Sequence, residues 1–342
     1  MKSEILAKVI RGETVESVHR GHLIVVSGDG KTLYSLGNPE TVTFWRSSAK
    51  AFQAIPFLTG GAAERFGYTE REIALACGSH SGERMHTETA AAMLEKINLS
   101  EADLRCGAHP PFDEKRSEEM IREGETPNQL HNNCSGKHAA MLAFCRNANA
   151  DITTYEHFEH PLQKAILQTV EEFTDVPADK IKFGIDGCAA PNFAIPVAAM
   201  AKAFARLVAP PESFDEATKK ACRIIVSAML NCPEMIGGTD RLDTMLMQAG
   251  GGKLISKIGA EGVYSAAVLP SEKYKTGLGI GLKIEDGDDK RARAVVLIEL
   301  LRQLGLFDKN TLREFSPLPI FNRRSDKVGE TRASFDLRAS VK

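Results

Sequence analysis

The stretch Phe44-Trp45-Arg46-Ser47-Ser48-Ala49-Lys50-Ala51-Phe52-Gln53 lies where a strand-like run ends and a helix begins. Ser47 and Lys50 are three residues apart, and residues at this spacing share one face of a helix. The Lys50 amine can therefore reach the Ser47 hydroxyl, as in Ser-x-x-Lys sites where a neutral lysine takes the proton of a serine nucleophile. As a bare pattern this is weak evidence, and a plain helix N-terminus is the simpler interpretation of the stretch alone.

Strand-like segments stand at both ends of the chain, and helix-like segments fill its middle. The N-terminal strands are predicted as a meander with Gly and Pro turns, at residues 22–26, 31–36 and 41–45. The C-terminal strands are predicted at residues 253–258, 262–269 and 277–284. Helices are predicted at residues 47–57, 70–76, 85–96, 195–207, 216–231, 241–249 and 290–305. A further helix is predicted to follow the segment His131–His138 and to run to about Asn147, and residues 106–130 are predicted as a loop with a short helix. This order predicts one α+β domain over residues 1–342. Its largely antiparallel sheet would be built from terminal segments, with helices packed on it and a helical insertion at roughly 60–250.

Three short segments concentrate polar and reactive side chains beside predicted helices. They are Cys77-Gly78-Ser79-His80-Ser81-Gly82-Glu83, His131-Asn132-Asn133-Cys134-Ser135-Gly136-Lys137-His138 and Gly184-Ile185-Asp186-Gly187-Cys188-Ala189-Ala190-Pro191-Asn192. Turn formation and helix capping explain them most simply, since Asn and Ser are good N-cap residues. The lining of a functional site is the alternative.

Composition excludes several classes of function. The formal net charge is −2 and no basic block is present, so nothing indicates a nucleic-acid partner. No apolar run approaches the roughly 20 residues of a membrane helix, and charge returns too early at the N-terminus for a signal peptide. The seven cysteines are an odd number without Cys-x-x-Cys pairs, so most are expected to be buried apolar thiols rather than disulfides. A cytoplasmic protein without membrane contact is therefore expected.

Five motifs together resemble the rhizobial-type L-asparaginases, often called class 3. The matching segments are Arg46–Lys50, Cys77–Glu83, His131–His138, Gly184–Cys188 and Lys257-Ile258-Gly259-Ala260-Glu261-Gly262. The similarity extends from about His19 to Gly287, nearly the whole chain. It implies a fold akin to serine β-lactamases and glutaminases, a homodimer, and hydrolysis of L-asparagine to L-aspartate and ammonia.

The resemblance also implies roles for individual residues. The catalytic residues would be two serine–lysine pairs, Ser47 with Lys50 and Ser79 with Lys257. The metal, zinc in this family, would be held by Cys134, Lys137 and Cys188. Arg46, Asp186 and His138 fall at positions that line the substrate pocket. From spacing alone the metal would not be predicted, because these cysteines lack zinc-finger spacing and lysine must lose its proton to bind.

The chemistry is consistent with these roles. A lysine acts as a base only if its pKa falls from about 10.4 toward 7, and two lysines brought into one buried site would each lower the other's pKa. Lys50 would then deprotonate Ser47, the Ser79–Lys257 pair would protonate the leaving ammonia, and water would cleave the acyl-enzyme. The two serines could also exchange roles. Asp186 and Arg46 are candidates for binding the substrate α-ammonium and α-carboxylate, or else form a structural ion pair.

Two rival functions remain open. Lys275-Thr276-Gly277 reproduces the Lys-Thr-Gly motif of penicillin-recognising enzymes and suggests a β-lactamase or penicillin-binding esterase. No Ser-Asp-Asn motif accompanies it, and Lys275 is expected to face solvent. The second rival is an asparagine-binding protein without catalysis, against which the presence of both serines and both lysines argues.

Overall fold

The computed structural model describes residues 2–337 of the chain. Its strands are β1 (Glu4–Arg11), β2 (Thr14–Ser27), β3 (Thr32–Leu36), β4 (Val42–Phe44), β5 (Lys182–Ile185), β6 (Pro191–Pro196), β7 (Leu254–Ile258), β8 (Val263–Val268), β9 (Leu278–Ile284), β10 (Leu318–Phe321) and β11 (Lys327–Ala333). Its helices are α1 (Lys50–Gln53), α2 (Ile55–Thr59), α3 (Ala62–Arg65), α4 (Glu70–Cys77), α5 (Arg84–Glu95), α6 (Glu114–Glu123), α7 (Ser135–Ala148), α8 (Pro161–Thr174), α9 (Val197–Val208), α10 (Glu216–Asn231), α11 (Pro233–Ile236), α12 (Leu242–Ala249) and α13 (Ala292–Gln303).

The main sheet is antiparallel and is built from both ends of the chain. Its strand order is β10-β11-β1-β2-β9-β8-β7, and β3 pairs with β2 beside this path. Strands β2 and β9 join the two ends, in a register that runs from Gly21 opposite Ile284 to Ser27 opposite Leu278. Between β4 and β7 the chain is helical apart from the short strands β5 and β6. The predicted α+β class, with a sheet from terminal segments and helices inserted between them, is confirmed.

Helices cover both faces of the main sheet. Successive residues of a strand point to opposite faces, and in β2 the residues Ile24 and Val26 pack with α9. Leu23 and Val25 belong to the apolar cluster on the other face, which includes α13. These four residues form a continuous apolar run, as expected for a strand buried on both faces.

Helix α9 approaches the sheet very closely because β9 carries glycines. A Cβ atom at Gly279 would lie 1.9 Å from the carbonyl oxygen of Ala201, and one at Gly281 would lie 2.6 Å from that of Val197. Any side chain at these positions would push α9 off the sheet.

Several predicted elements are confirmed and one is wrong. The predicted helices at 70–76, 85–96, 195–207, 216–231, 241–249 and 290–305 correspond to α4, α5, α9, α10, α12 and α13. The predicted three-stranded meander is wrong in its third strand. Strand β4 does not pair with β3 but joins a separate small sheet of order β4-β6-β5. The chain turns away at Gly37, where a side chain would meet the Gly21 carbonyl at 2.6 Å, and Val42 then pairs with Pro196.

Strands β1, β5, β6, β10 and β11 are not among the predicted elements. Strands β1 and β11 are partly exposed and carry several charged residues, so their pattern resembles that of a polar surface. In the part of the chain that is described, no helix is long and apolar enough to span a bilayer.

Candidate active site

A cavity of about 780 Å³ collects residues from all five sequence motifs. Five segments of the chain meet at this cavity: the turn before α1, the loop after α4, the start of α7, the β5–β6 loop and the end of β7. Its wall is formed by Arg46, Ser47, Ser79, His109, Phe112, Asn132, Asn133, Cys134, Asp186, Gly187, Cys188, Arg241, Ile258, Gly259, Ala260, Asp289, Lys290 and Arg293. Both predicted nucleophiles therefore face one space.

Ser47 is presented by a strained backbone turn. The preceding residue, Arg46, has φ 55°, a left-handed conformation that is uncommon for a residue with a side chain. Its N–H donates to Asn192 Oδ1 at 3.1 Å, which holds the turn against β6. Trp45 is fully buried, stacks on Phe52 and anchors the chain just before the turn. Strain supported in this way is typical of functional sites.

Lys50 lies one helical turn later, buried behind Ser47. Its Nζ atom donates to the carbonyl oxygens of Gly78 at 2.6 Å and of Asn133 at 2.9 Å. These two carbonyls fix the orientation of the Lys50 amine.

Ser79 follows α4 and carries an unpaired hydroxyl. Its N–H donates to the Ile236 carbonyl at 2.7 Å, so the loop is tied to α11. Its Oγ atom is buried and has no hydrogen-bond partner within residues 2–337. An unsatisfied buried hydroxyl is rare in proteins and calls for an explanation, and the wall of a reactive cavity supplies one.

Lys257 on β7 is fully buried and paired with a residue that the sequence did not point to, Asp243. The Lys257 Nζ atom lies 3.4 Å from Asp243 Oδ2 and donates to the Ile258 carbonyl at 3.2 Å. Asp243 also accepts hydrogen bonds from the Ile258 N–H and the Tyr264 hydroxyl. Burial lowers the pKa of Lys257 to about 8, Asp243 opposes this shift, and the Lys50 charge adds to it.

The predicted serine–lysine pairs are therefore neighbours in one site rather than hydrogen-bonded couples. Among residues 2–337, neither the Ser47 hydroxyl nor the Ser79 hydroxyl makes a hydrogen bond to a lysine amine, although the Lys50 backbone N–H donates to the Ser47 carbonyl. The Ser48 hydroxyl donates to the Lys257 carbonyl at 2.8 Å and fastens the Ser47 turn to β7. Lys50 is close enough to Lys257 for its charge to lower the pKa of Lys257.

Arg46 and Asp186 form an ion pair in the cavity wall. Arg46 contacts Asp186 Oδ1 through Nε at 3.1 Å and through Nη2 at 3.0 Å. The Gly187 N–H donates to the same oxygen at 2.9 Å. Asp186 Oδ2 has no hydrogen bond within the described residues, so it remains available to a ligand.

The three predicted metal ligands lie together, with Cys134 and Cys188 in the cavity wall and Lys137 behind them. Lys137 Nζ is 3.0 Å from Cys188 Sγ. The Cys134 thiol donates to Asn133 Oδ1 at 3.5 Å. The interaction between the two cysteines lowers the pKa of Cys188 well below its usual value and raises that of Cys134. Burial would lower the pKa of Lys137, but the two sulfur atoms outweigh this and raise it.

His138 lies behind the cysteine pair and is not part of the cavity wall. It is fully buried, and its Nδ1 atom is 2.7 Å from the Tyr155 hydroxyl. Burial lowers its pKa. Its Nε2 atom faces Cys188 without a hydrogen bond of ordinary geometry.

Two residues of the site, Asp243 and Arg241, were not predicted from the sequence. Asp243 lies at the start of α12, where an acidic residue is usual because it favours the helix dipole, so its sequence position gives no sign of burial. Arg241 precedes it at the N-terminus of the same helix and lines the cavity. Lys275, in contrast, is exposed and outside the cavity wall, as predicted.

The chain is similar to several solved structures. One is a probable glutaminase from Bacillus subtilis complexed with 6-diazo-5-oxo-L-norleucine, at 15% identity over 84% of each chain and a TM-score of 0.38. Another is the carbapenemase VCC-1 from Vibrio cholerae, at 14% identity over 83% of this chain and 93% of that one, with a TM-score of 0.41. No curated protein matches the sequence.

Comparison with protein families gives a match that covers more of the chain than these structures do. Residues 7–333, nearly the whole chain, match the family described as L-asparaginase II, in agreement with the resemblance seen in the motifs. The chain therefore belongs to the L-asparaginase II family.

Proposed function

We propose that the protein hydrolyses the side-chain amide of L-asparagine to L-aspartate and ammonia, with a serine as nucleophile. Family membership supports amide hydrolysis. The observation that carries the proposal is one cavity with two serine hydroxyls in its wall and two buried lysines behind it. Amide hydrolysis needs a nucleophile, a base and donors for a developing oxyanion, and this arrangement supplies the first two.

In the first step, Ser47 Oγ bonds to the amide carbon while its proton passes to the Lys50 lone pair. The two carbonyls that accept from Lys50 Nζ support this role, because they orient the amine. The Arg46 N–H of this turn is already bound to Asn192 Oδ1. The next N–H, that of Ser47, has no intrahelical acceptor, so it is a candidate for stabilising the oxyanion.

In the second step, the carbon–nitrogen bond breaks and the leaving nitrogen takes a proton through Ser79 and Lys257. A pKa of about 8 makes Lys257 a usable proton donor near neutrality. A water molecule then attacks the acyl carbon on Ser47 while its proton passes to Lys257, which has just given one up. The ester C–O bond breaks, Ser47 Oγ regains its proton from Lys50, and aspartate is released.

Substrate recognition follows from the cavity charges. Asp186 Oδ2, free of protein partners within the described residues, is suited to bind the α-ammonium of the substrate. Its other oxygen is held by Arg46 and the Gly187 N–H, so the carboxylate is fixed in orientation.

We also propose zinc as a structural component beside the cavity. Two buried thiols and an amine in contact fit a thiolate-preferring ion. Cys134, Lys137 and Cys188 would hold the ion, with Lys137 giving up its proton. Among residues 2–337 no group of three His, Cys, Asp or Glu residues has metal-site geometry, and this set lies outside that class because it includes a lysine. A bound zinc ion would fix this wall of the cavity and place positive charge near the substrate.

A homodimer and a cytoplasmic location complete the proposal. They rest on the family resemblance and on the composition, respectively. The β-lactamase alternative loses its main support because Lys275 is exposed and away from the cavity.

The test is ammonia release from L-asparagine and L-glutamine, measured side by side for wild type and for the Ser47→Ala and Ser79→Ala variants. We expect wild type to hydrolyse asparagine and Ser47→Ala to be inactive. An active Ser47→Ala variant together with an inactive Ser79→Ala variant would assign the nucleophile to Ser79 instead of Ser47. Tight asparagine binding without ammonia release would favour the binding-protein alternative, and turnover of a cephalosporin but not of asparagine would favour the β-lactamase alternative.

A further inference from the structure

Arg241 differs from the other arginines of the cavity wall because its charge is not neutralised. Arg46 pairs with Asp186, and Arg293 pairs with Asp289. Arg241 is partly buried, and its guanidinium makes no ion pair or hydrogen bond to the described residues. Lys290 also lacks a carboxylate partner in this part of the chain, but it is exposed to solvent.

The backbone around Arg241 is fixed relative to Ser79. The Ser79 N–H bonds to the Ile236 carbonyl, just before the loop that leads to Arg241. In the same loop, Thr239 donates its N–H and its hydroxyl to Glu83 at 2.8 and 2.7 Å. The loop of residues 237–241 is therefore tied to the loop that carries Ser79.

Arg241 is also linked to Lys257. It is the N-cap residue of α12, and Asp243 two residues later holds Lys257 and the Ile258 N–H. An arginine fixed between these two groups, with an open guanidinium toward the cavity, is a preformed site for an anion.

We propose that Arg241 binds the α-carboxylate of the substrate. This inference rests on the proposed function and replaces the expectation that Arg46 does so. The Arg46 guanidinium is already engaged by Asp186, so its role is to orient that carboxylate. The Arg241 fork matches the two oxygens of a carboxylate, and a partly buried cation without a counter-ion gains most from a ligand that brings one.

The proposal defines the substrate class. Carboxylate recognition by Arg241 and ammonium recognition by Asp186 together select a free α-amino acid with a side-chain amide. An asparagine within a peptide chain has neither group in ionised form, so it is excluded.

The test uses non-reactive ligands, so that binding is read without turnover. Calorimetric titration compares L-aspartate with β-alanine, which is aspartate without its α-carboxylate. In Arg241→Gln, affinity for L-aspartate should fall about 10- to 100-fold, which corresponds to the loss of the hydrogen bonds between the guanidinium and a charged carboxylate. Affinity for β-alanine should stay within about twofold of wild type, because the group that Arg241 binds is missing from it.

Three further variants serve as controls. Lys290→Gln removes a cation from the cavity rim and should bind L-aspartate as wild type does, which separates specific binding from general attraction. Arg241→Lys keeps the charge without the fork and should fall between wild type and Arg241→Gln. Thermal unfolding of each variant shows that it is folded.

Two results would overturn the inference. One is an Arg241→Gln protein whose affinity for L-aspartate equals that of wild type, or whose affinities for L-aspartate and β-alanine fall equally. The other is a selective loss of affinity for L-aspartate in Arg46→Gln instead of Arg241→Gln. Failure of the proposed function is a separate outcome. Binding of L-aspartate that depends on Arg241, without ammonia release from L-asparagine, contradicts the hydrolase but not the carboxylate site.

Discussion

Lys257 and Asp243 lie side by side in the interior, with Nζ 3.4 Å from Oδ2 and both side chains almost completely buried. Opposing effects determine the pKa of the Lys257 amine. Burial and the nearby Lys50 lower its pKa, while Asp243 raises it, and the result is about 8. A group with this pKa can both give and take a proton near neutrality, and Asp243 sets the balance.

Removing the charge of Asp243 should shift the pH dependence of the enzyme. In Asp243→Asn the pKa of Lys257 falls further, because the contribution that raised it is lost. If Lys257 donates a proton to the leaving ammonia, the alkaline limb of kcat lies near pH 8 in wild type. The variant should then lose activity about one pH unit lower or more.

Tyr264→Phe is the control for this change, since it removes a hydrogen bond to Asp243 and keeps the carboxylate charge. Its alkaline limb should stay much nearer to that of wild type. Identical pH profiles for wild type and Asp243→Asn would show that Lys257 is not the group observed.

Stability should also depend on pH through Lys257. Its pKa is about 8 in the folded protein, against 10.5 for a lysine without interactions, as in the unfolded chain. Between these two pH values the unfolded chain therefore binds more protons than the folded protein. Unfolding free energy therefore rises with pH in this window. For a shift of this size the rise amounts to about 3 kcal/mol. Urea unfolding of wild type and Lys257→Met, between pH 8 and 10.5, isolates this contribution as the difference between the two proteins. A constant difference across the window would contradict it.

Ser79→Ala should separate stability from activity. The Ser79 hydroxyl is buried without a partner, so its removal relieves an unsatisfied group and should leave the free energy of unfolding unchanged or raise it by up to about 1 kcal/mol. Ammonia release should be abolished or strongly reduced.

Ser135→Ala is the matched control for stability. The Ser135 hydroxyl contacts His80 Nε2 at 2.9 Å and donates to the Leu130 carbonyl at 3.0 Å. Its loss should destabilise the protein by about 1–3 kcal/mol. Equal destabilisation of the Ser79 and Ser135 variants would mean that Ser79 Oγ has a partner in solution.

Asp186→Ala should raise KM for L-asparagine by about 10- to 100-fold, because the charge proposed to bind the α-ammonium is lost. Succinamate, which lacks that ammonium, provides the comparison. Its KM should change far less in the same variant. A KM for L-asparagine near that of wild type would assign Asp186 to a structural pair with Arg46 alone.

Elemental analysis tests the zinc proposal. Freshly purified protein should contain stoichiometric zinc, and Cys188→Ser should lose most of it because one of two thiolate ligands is replaced by a weaker oxygen donor. Cys222→Ser offers a control, since Cys222 is buried in the apolar core on α10. Wild-type protein without bound metal would refute the assignment.

The sequence predicted the segments whose apolar pattern is continuous. Residues 23–26 and 278–282 are buried on both faces of the sheet, so their composition identifies them without knowledge of their partners. The pairing of Val42 with Pro196 was not predictable, because the register between distant strands depends on how intervening helices pack.

The candidate site was predictable where it lies in compact motifs and not where it depends on isolated residues. Ser47, Ser79 and Cys188 come from short polar segments that stand out beside apolar helices. Asp243 and Arg241 flank the start of an ordinary helix, where charged residues are frequent. Their place in the site follows from the packing of α12 against the next strand, β7, and the sequence pattern does not show which helical residues this packing buries.

The pairing of β2 with β9 has a consequence for synthesis of the chain. On the ribosome, β2 is made long before β9, so one side of its apolar run has no hydrogen-bonding partner for most of translation. At typical elongation rates this interval is roughly 10–50 s, during which the exposed strand edge invites intermolecular pairing. A nascent chain that stops before β7 carries Ser47, Lys50 and Ser79 but lacks Lys257. If Lys257 is needed for amide hydrolysis as proposed, activity starts only when β9, the strand that covers the edge of β2, is about to be synthesised.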